Sequence, residues 1–452
     1  MIIIDPLTIS VDDTIINSMN LTRKDDFITN NSLTNRLYIT YFDGKIIISD
    51  RLKELINEIG AKIEPDAADF YMRYGFILPP YTLYSDIFIM APYIGFSLSK
   101  QFGTTTLFPD NKEDVNTKIV DYQEQIKADL IASLEQQSGP YNVLFSAGVD
   151  SAVLLGIAEQ LNKVDNAVNC FMSSMPDESN KAGKICESKQ IPIKIVSVSH
   201  NLESQANTFL NLAAEPISDK ISLVIPAITD QLELDKNHLI LDGQGADSLL
   251  CGLPHDRLYD LYHKKFIRFI AKIFSILPIW GNKKTKAGRL LYRITKILHC
   301  LSSPSDSEML LNSLVEERNQ QTSRGNIIVK RFYDEIEILK DELNDFHMVI
   351  RYIFMFRIIP AREMQKYIIA NNNGYRFKLP FLENNFIEKH FYIPSNQTIK
   401  YGIYKYPMIK IAQTYWPGFF NDSKTSPFQV DFSIGNISIK ELSLLKTKEN
   451  TK

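Results

Sequence analysis

The spacing of apolar residues changes twice along this chain and divides it into three stretches. Up to about residue 110 the pattern is that of short strands. Residues 37–49, LYITYFDGKIIIS, hold two strand-like runs around Asp43-Gly44, a pair that accepts the positive φ values of a two-residue hairpin turn. Helices are predicted over 50–59 and around 67–75, while Pro79-Pro80 and Pro92 bracket short extended segments within 77–99. The polar run 109–117, PDNKEDVNT, reads as a linker. Over 117–136 apolar residues fall at Ile119, Tyr122, Ile126, Leu130 and Leu134, close to a helical period. Strand and helix then alternate, with strands at 141–145, 167–172, 193–198 and 237–241 and a helix at 179–189. That alternation predicts an α/β fold with a doubly wound, mostly parallel sheet that binds ligands at the carboxyl ends of its strands. Beyond Leu253 long helical patterns predict added helices.

Length makes this a two-domain chain, because 452 residues exceed what one core usually organises. The expected division is a small β-rich domain, 1–115, and an α/β domain, 116–452. A net charge of −3 gives no electrostatic case for a nucleic-acid partner. Cys170, Cys186, Cys251 and Cys300 form no CxxC pair and read as thiols of a reducing compartment. The apolar run at the start is too short for a signal peptide, so a cytoplasmic protein is expected.

Residues 141–158, YNVLFSAGVDSAVLLGIA, carry the strongest chemical signal. They predict a buried strand, a small-residue loop and a helix continuing through Val153, Leu154 and Ile157. Such a unit aims backbone N–H groups and two hydroxyls at the positive end of a helix, where phosphates are favourably held. The loop lacks the lysine of GxxxxGK[ST] and carries Asp150 instead. A carboxylate there repels phosphate unless a divalent cation bridges the two, which implies Mg²⁺ on a nucleotide. A second stretch, 239–252, LILDGQGADSLLCG, repeats the plan of strand, glycine turn and one carboxylate, Asp247. Read alone, each is equally a strand-to-helix turn with an acid near a helix start. Together they outline a clamp for one metal–nucleotide complex.

The two loops resemble those of the asparagine synthetase superfamily, whose synthetase domain reads S-G-G-x-D-S in the first and G-x-G-A-D-E in the second. Glu215-Pro216, PFLE at 380–383, and Lys405 followed by SKTSPF at 423–428 fall in the family's order. The resemblance implies an adenine nucleotide α-hydrolase-like fold and an AMP-forming ligase that uses ATP and Mg²⁺ to adenylate a carboxylate and couple it to an amine. By the same resemblance Ser146, Gly148 and Ser151 hold the phosphates, and Asp150 and Asp247 position Mg²⁺. Leu144, Met172 and Gly243 line the adenine and ribose side. Lys405 is the cation that neutralises the transition states, with Lys400 and Lys410 as close alternatives.

Three residues depart from the family. Ala147 stands at a usual glycine, Ser248 at a usual glutamate, and Gln244 where relatives place an acid–base residue. Glutamine takes no proton, so the general base lies elsewhere or the amine arrives uncharged. In the N-terminal unit the chain resembles only the tail of the family's glutaminase, without an N-terminal cysteine, so a reduced, inactive glutaminase-like domain is expected. Members of that kind include β-lactam synthetases and lasso-peptide macrolactam synthetases. The expected substrate is therefore a small molecule or a precursor peptide that brings its own amine, with a leader peptidase as candidate partner. The alternatives are ammonia-dependent amidation of a small acid or sugar and, from another class, a degenerate nucleotide- or substrate-binding protein.

Residues 262–299 combine ten lysines and arginines with FIRFIAKIFSILPIW. The simpler reading is an amphipathic helical pair with a solvated basic face, and the second is a peptide- or membrane-docking surface. Arg268, Lys272 and Pro278 interrupt the apolar run, so it is not expected to span a bilayer.

Overall fold

A computed structural model describes residues 1–4, 21–24, 26–98, 103–110, 121–171, 178–198, 202–274, 286–315 and 325–420. Most of the expected linker, Met172 and the SKTSPF segment lie outside these residues.

The N-terminal unit contains β1 (Ile2–Ile4), β2 (Leu21–Lys24), β3 (Phe27–Asn30), β4 (Tyr38–Phe42), β5 (Lys45–Ser49), β6 (Ile87–Ile89), β7 (Ile94–Ser97) and β8 (Thr104–Thr106). They form two antiparallel sheets, in the orders β1-β5-β4-β6 and β2-β3-β7-β8. The β4–β5 hairpin turns at Asp43 and Gly44, with φ of 50° and 75°, as the Asp-Gly signal requires. Its strands are apolar without alternation because both faces are covered. Ile39, Ile46 and Ile48 face the second sheet and its Ile28 and Phe96. Tyr38 and Ile47 face the larger core, which includes α1 (Leu52–Ile59) and α2 (Pro65–Tyr74).

The second unit opens with α3 (Tyr122–Glu135), capped by the Asp121 side chain on the N–H groups of Gln123 and Glu124. A five-stranded parallel sheet follows, made of β9 (Tyr141–Leu144), β10 (Val164–Phe171), β11 (Ile193–Ser197), β12 (Leu239–Leu241) and β13 (Phe377–Lys378). Their order is β11-β10-β9-β12-β13. The chain builds outward from β9 in one direction, then returns to lay β12 on its other side. The boundary between β9 and β12 is the topological switch point, where such sheets open a crevice. Val143 pairs with Leu241, so the loops leaving these two strands start side by side. The chain is an α/β protein with a doubly wound parallel sheet and added helices, preceded by a β-rich region.

The helices around the sheet are α4 (Val149–Gln160), α5 (Ser179–Glu187), α6 (Glu203–Ala213), α7 (Val224–Leu232) and the single turn α8 (Ala246–Leu249). The added helices are α9 (Pro254–Tyr262), α10 (Lys265–Phe274), α11 (Lys286–Leu301), α12 (Asp306–Ser313), α13 (Ile327–Leu343) and α14 (Phe346–Ile353). After α14 a π-helical turn, Phe354–Ile358, leads through short helical turns to Asn372. A last described helix, α15 (Tyr406–Tyr415), lies against α4, where the Trp416 indole N–H donates to the Ala152 carbonyl at 2.8 Å. Gly156 permits that approach, since a Cβ there would stand 2.5 Å from the Tyr415 ring. Among the described residues no helix is long and apolar enough to cross a membrane.

A buried polar knot joins the two units. Arg36 donates to Glu215 at 2.5 Å and to the Pro360 carbonyl, and the Tyr38 hydroxyl also donates to Glu215. Gln365 completes the knot with a bond to Glu215 at 3.1 Å.

Candidate active site

The loop after β9 folds tightly because its small residues allow it. Ala147 sits in the left-handed region with φ of 58°, and its methyl is fully buried. Gly148 is the N-cap of α4 and donates its N–H to the Ser146 hydroxyl at 3.3 Å. The hydroxyls of Ser146 and Ser151 stand 3.3 Å apart. Asp150 is in the first turn of α4, where the helix dipole favours a negative charge. Lys181 of α5 reaches across and donates to the Ala147 carbonyl at 3.0 Å, fixing the loop from outside.

The loop after β12 is pressed against the first. A Cβ on Gly243 would lie 3.1 Å from that of Asp150 and 3.6 Å from the Ser151 nitrogen, so only glycine leaves this seam slack. Gly245 turns the chain with φ of 101°, and a Cβ there would meet Leu382 of the PFLE segment at 2.4 Å. Asp247 then enters at the start of α8, with its side chain 56% exposed. Ser248 points into the core and is buried.

Lys405 joins the two loops. It caps α15 in the left-handed conformation, φ 56°, and its ammonium donates to Asp150 at 2.5 Å and to Asp247 at 2.7 Å. Gly252 opens the passage, because a Cβ there would fall 2.1 Å from Lys405 Cδ and 2.2 Å from Asp247 Oδ1. Lys400 and Lys410, the neighbouring lysines, instead lie over the Tyr406 ring. Burial pushes the Asp150 carboxyl up to about 6, against the pull of Lys405 and with the push of Asp247. Burial works to lower the Lys405 ammonium, but Asp150 and Asp247 outweigh it and hold it above its ordinary value.

A second network holds the Lys405 turn. His347 bonds Asp256 at 3.0 Å and Asp260 at 3.1 Å, and Asp260 accepts from the hydroxyl of Tyr404, the residue before Lys405. The two carboxylates raise His347 to about 9 although its burial opposes this. Cys251, Asp256 and His347 come within 4.8 Å of one another, close enough to suggest a metal site. Their bonding argues otherwise: both His347 nitrogens are engaged, Arg351 lies 3.5 Å from the sulfur, and burial pushes the thiol up to about 11.

Behind the second loop lies a group that sequence reasoning missed. Lys366, buried on the turns after the π-helical segment, donates to Gln244 Oε1 at 2.5 Å and stands 3.5 Å from Asp242. Asp242, the residue after β12, also accepts from Tyr367 at 2.7 Å. A lysine only donates, so the Gln244 amide NH₂ is the end directed away from Lys366. A carboxylate closing a strand before a glycine turn was a readable signal for Asp242. Nothing local marked Lys366, which meets Gln244 across 122 positions.

The structure therefore brings together Ser146, Gly148, Asp150, Ser151, Gly243, Gln244, Asp247 and Lys405. Leu144 is half-buried at the end of β9, two residues before Ser146, and Met172 falls outside the described residues. The donor set fits a divalent cation, since two carboxylates already converge on one positive charge. In addition, Asp150 Oδ1 is buried without a hydrogen-bond partner, a spare hard oxygen ligand.

Comparison with known proteins agrees with the motif order. Residues 125–444 match the family model described as asparagine synthase. No curated protein sequence matches closely enough to count. Among solved structures, the chain is similar to a glutamine-dependent NAD⁺ synthetase from Acinetobacter baumannii in complex with ADP, with 16% identity and a TM-score of 0.24. That likeness covers 58% of this chain and 51% of the other, so it spans about half the length of that protein. The family match takes in both loops, the PFLE segment and Lys405, and the chain belongs to the asparagine synthase family.

Proposed function

We propose that this protein is an ATP-dependent carbon–nitrogen ligase that forms AMP and joins a carboxylate to an amine carried by a peptide or other natural-product intermediate. The observation that carries the reading is the convergence of Asp150 and Asp247 on Lys405 at the β9–β12 switch point. In the first step a carboxylate oxygen attacks the α-phosphorus of ATP, the bond to the bridging oxygen breaks, and pyrophosphate leaves. In the second the amine attacks the acyl carbon, the bond to AMP breaks, and the nitrogen gives up its proton to water.

Ser146, Ser151 and the N–H groups at the start of α4 bind phosphate oxygens, and Leu144 and Gly243 border the nucleoside. Asp150 and Asp247 would hold Mg²⁺, which when bound supplies positive charge against the departing pyrophosphate. Lys405 then transfers its bonds from the carboxylates to substrate oxygens, neutralising charge as it develops. Gln244, with its carbonyl tied to Lys366, offers its NH₂ to the acyl oxygen. It acts as a donor and takes no part in proton transfer.

The N-terminal unit, residues 1–115, serves in this reading as a reduced, inactive glutaminase-like domain, since its resemblance to the family's glutaminase is confined to that domain's tail, in residues 38–55 and 78–99. That supports a substrate-borne amine, as in lasso-peptide and β-lactam synthetases, and in this reading the protein works in the cytoplasm with a leader peptidase as partner for a peptide substrate. Pyrophosphate release tests it: with ATP, Mg²⁺ and candidate carboxylates the protein releases pyrophosphate and an Asp150→Ala variant does not. Amide formation from ammonium salts without a peptide amine would transfer the reading to small-acid amidation. Equal behaviour of the two proteins would sink the mechanism.

A further inference from the structure

The helices α10 and α11 pack against each other and against α9 and α12, yet each leaves an apolar stripe in water. On α10 the stripe is Phe266, Phe269 and Ile273, at helical spacing and 74%, 62% and 51% exposed. On α11 it is Leu290, Ile294 and Ile297, with Leu290 at 60%. A helix pair with only a solvated basic face would turn these residues inward. Here the inward positions are taken by Ala271, Cys300 and Leu301, and the large side chains point out.

Charge on the same segment is one-sided. The sequences of α10 and α11, Lys265–Phe274 and Lys286–Leu301, carry seven lysines and arginines and no aspartate or glutamate, in a chain whose net charge is −3. Protruding phenylalanines and aliphatics among cations, with carboxylates excluded, match the interface of an anionic bilayer. There the apolar groups enter the headgroup boundary and the cations meet lipid phosphates. A peptide partner needs walls to grip it, whereas these side chains stand 44–74% exposed on the outer faces of the two helices.

We infer that α10 and α11 form a docking surface that seats this protein on membranes containing anionic lipids, without crossing them. The inference is independent of the ligase reading. The test is co-sedimentation of the full chain with vesicles of phosphatidylcholine mixed with phosphatidylglycerol, against phosphatidylcholine alone. The protein is expected to sediment with the mixed vesicles only, less so as salt rises. The double variant Phe266→Ser/Phe269→Ser should bind at least about tenfold more weakly. Both positions face water, so the variant's unchanged melting temperature serves as the folding control. No binding to mixed vesicles, or binding indifferent to the double substitution, would overturn the inference. So would a dimer that this variant dissolves, which would mean a second copy covers the face, or full competition by soluble polyglutamate, which would mean charge alone acts there.

Discussion

Lys405 and Asp150 are separated by 255 positions, and their side chains meet at 2.5 Å across the mouth of the parallel sheet. The contact exists because α15 rests on α4, so the lysine at the head of one helix reaches the carboxylate at the head of the other. Replacing Lys405 by alanine should lower the rate of pyrophosphate release by about two to three orders of magnitude, the usual cost of removing a preorganised charge from a transition state. Arginine should not restore the rate, because a planar guanidinium does not reproduce the compact ammonium's bonds to Asp150 and Asp247. Single-turnover kinetics of the two variants would check this.

Gly252→Ala should behave like a loss of Lys405. The added methyl would overlap both the lysine stem and Asp247, at 2.1 and 2.2 Å, so the bridge has to break. An alanine variant with wild-type turnover would show that the bridge is not needed.

Ala147 invites the opposite result. Its positive φ costs about 1 kcal/mol relative to glycine. Glycine, however, would forfeit a buried methyl worth about 0.8 kcal/mol and add freedom to the unfolded chain. The terms nearly cancel, so Ala147→Gly should shift unfolding free energy by less than about 1 kcal/mol in urea titrations. The departure from the family's glycine is thus compatible with an intact loop.

His347 should make stability depend on pH on the alkaline side. Its folded value, about 9, lies above the ordinary histidine value, so its contribution is complete below about 6.5 and is lost as pH rises through 9. The loss should be about 2–3 kcal/mol, and a His347→Gln variant should lack that slope. Denaturation at pH 6.5 and 9.5 would measure both.

The sheet and its two loops were legible because their signals are local: a short apolar run, then glycines, then one acid. The Asp43-Gly44 hairpin was legible for the same reason. Lys405 could be separated from Lys400 and Lys410 only through the order of family landmarks, since three lysines within eleven residues look alike in sequence. Lys366, Lys181 and the His347 network left no trace, because each works through a partner brought near by packing.

Glu215 shows what the first landmark is for. Breaking its pair with Arg36 by Arg36→Ala would strand a buried carboxylate, at a cost of about 3–5 kcal/mol. Since Gln365, also bonded to Glu215, adjoins Lys366, the variant should also lower turnover beyond what thermal instability explains. Activity measured well below the melting temperature separates the two effects.

Gly156 touches no substrate and lies in the middle of a helix, where alanine is ordinarily an improvement. Here that substitution would wedge Tyr415 outward and tilt the helix that carries Lys405. A mutational scan would thus return a position with the sensitivity of a reacting group and no chemistry of its own. In relatives, the size of the side chain at this point would act as a silent gauge of how far the lysine can reach.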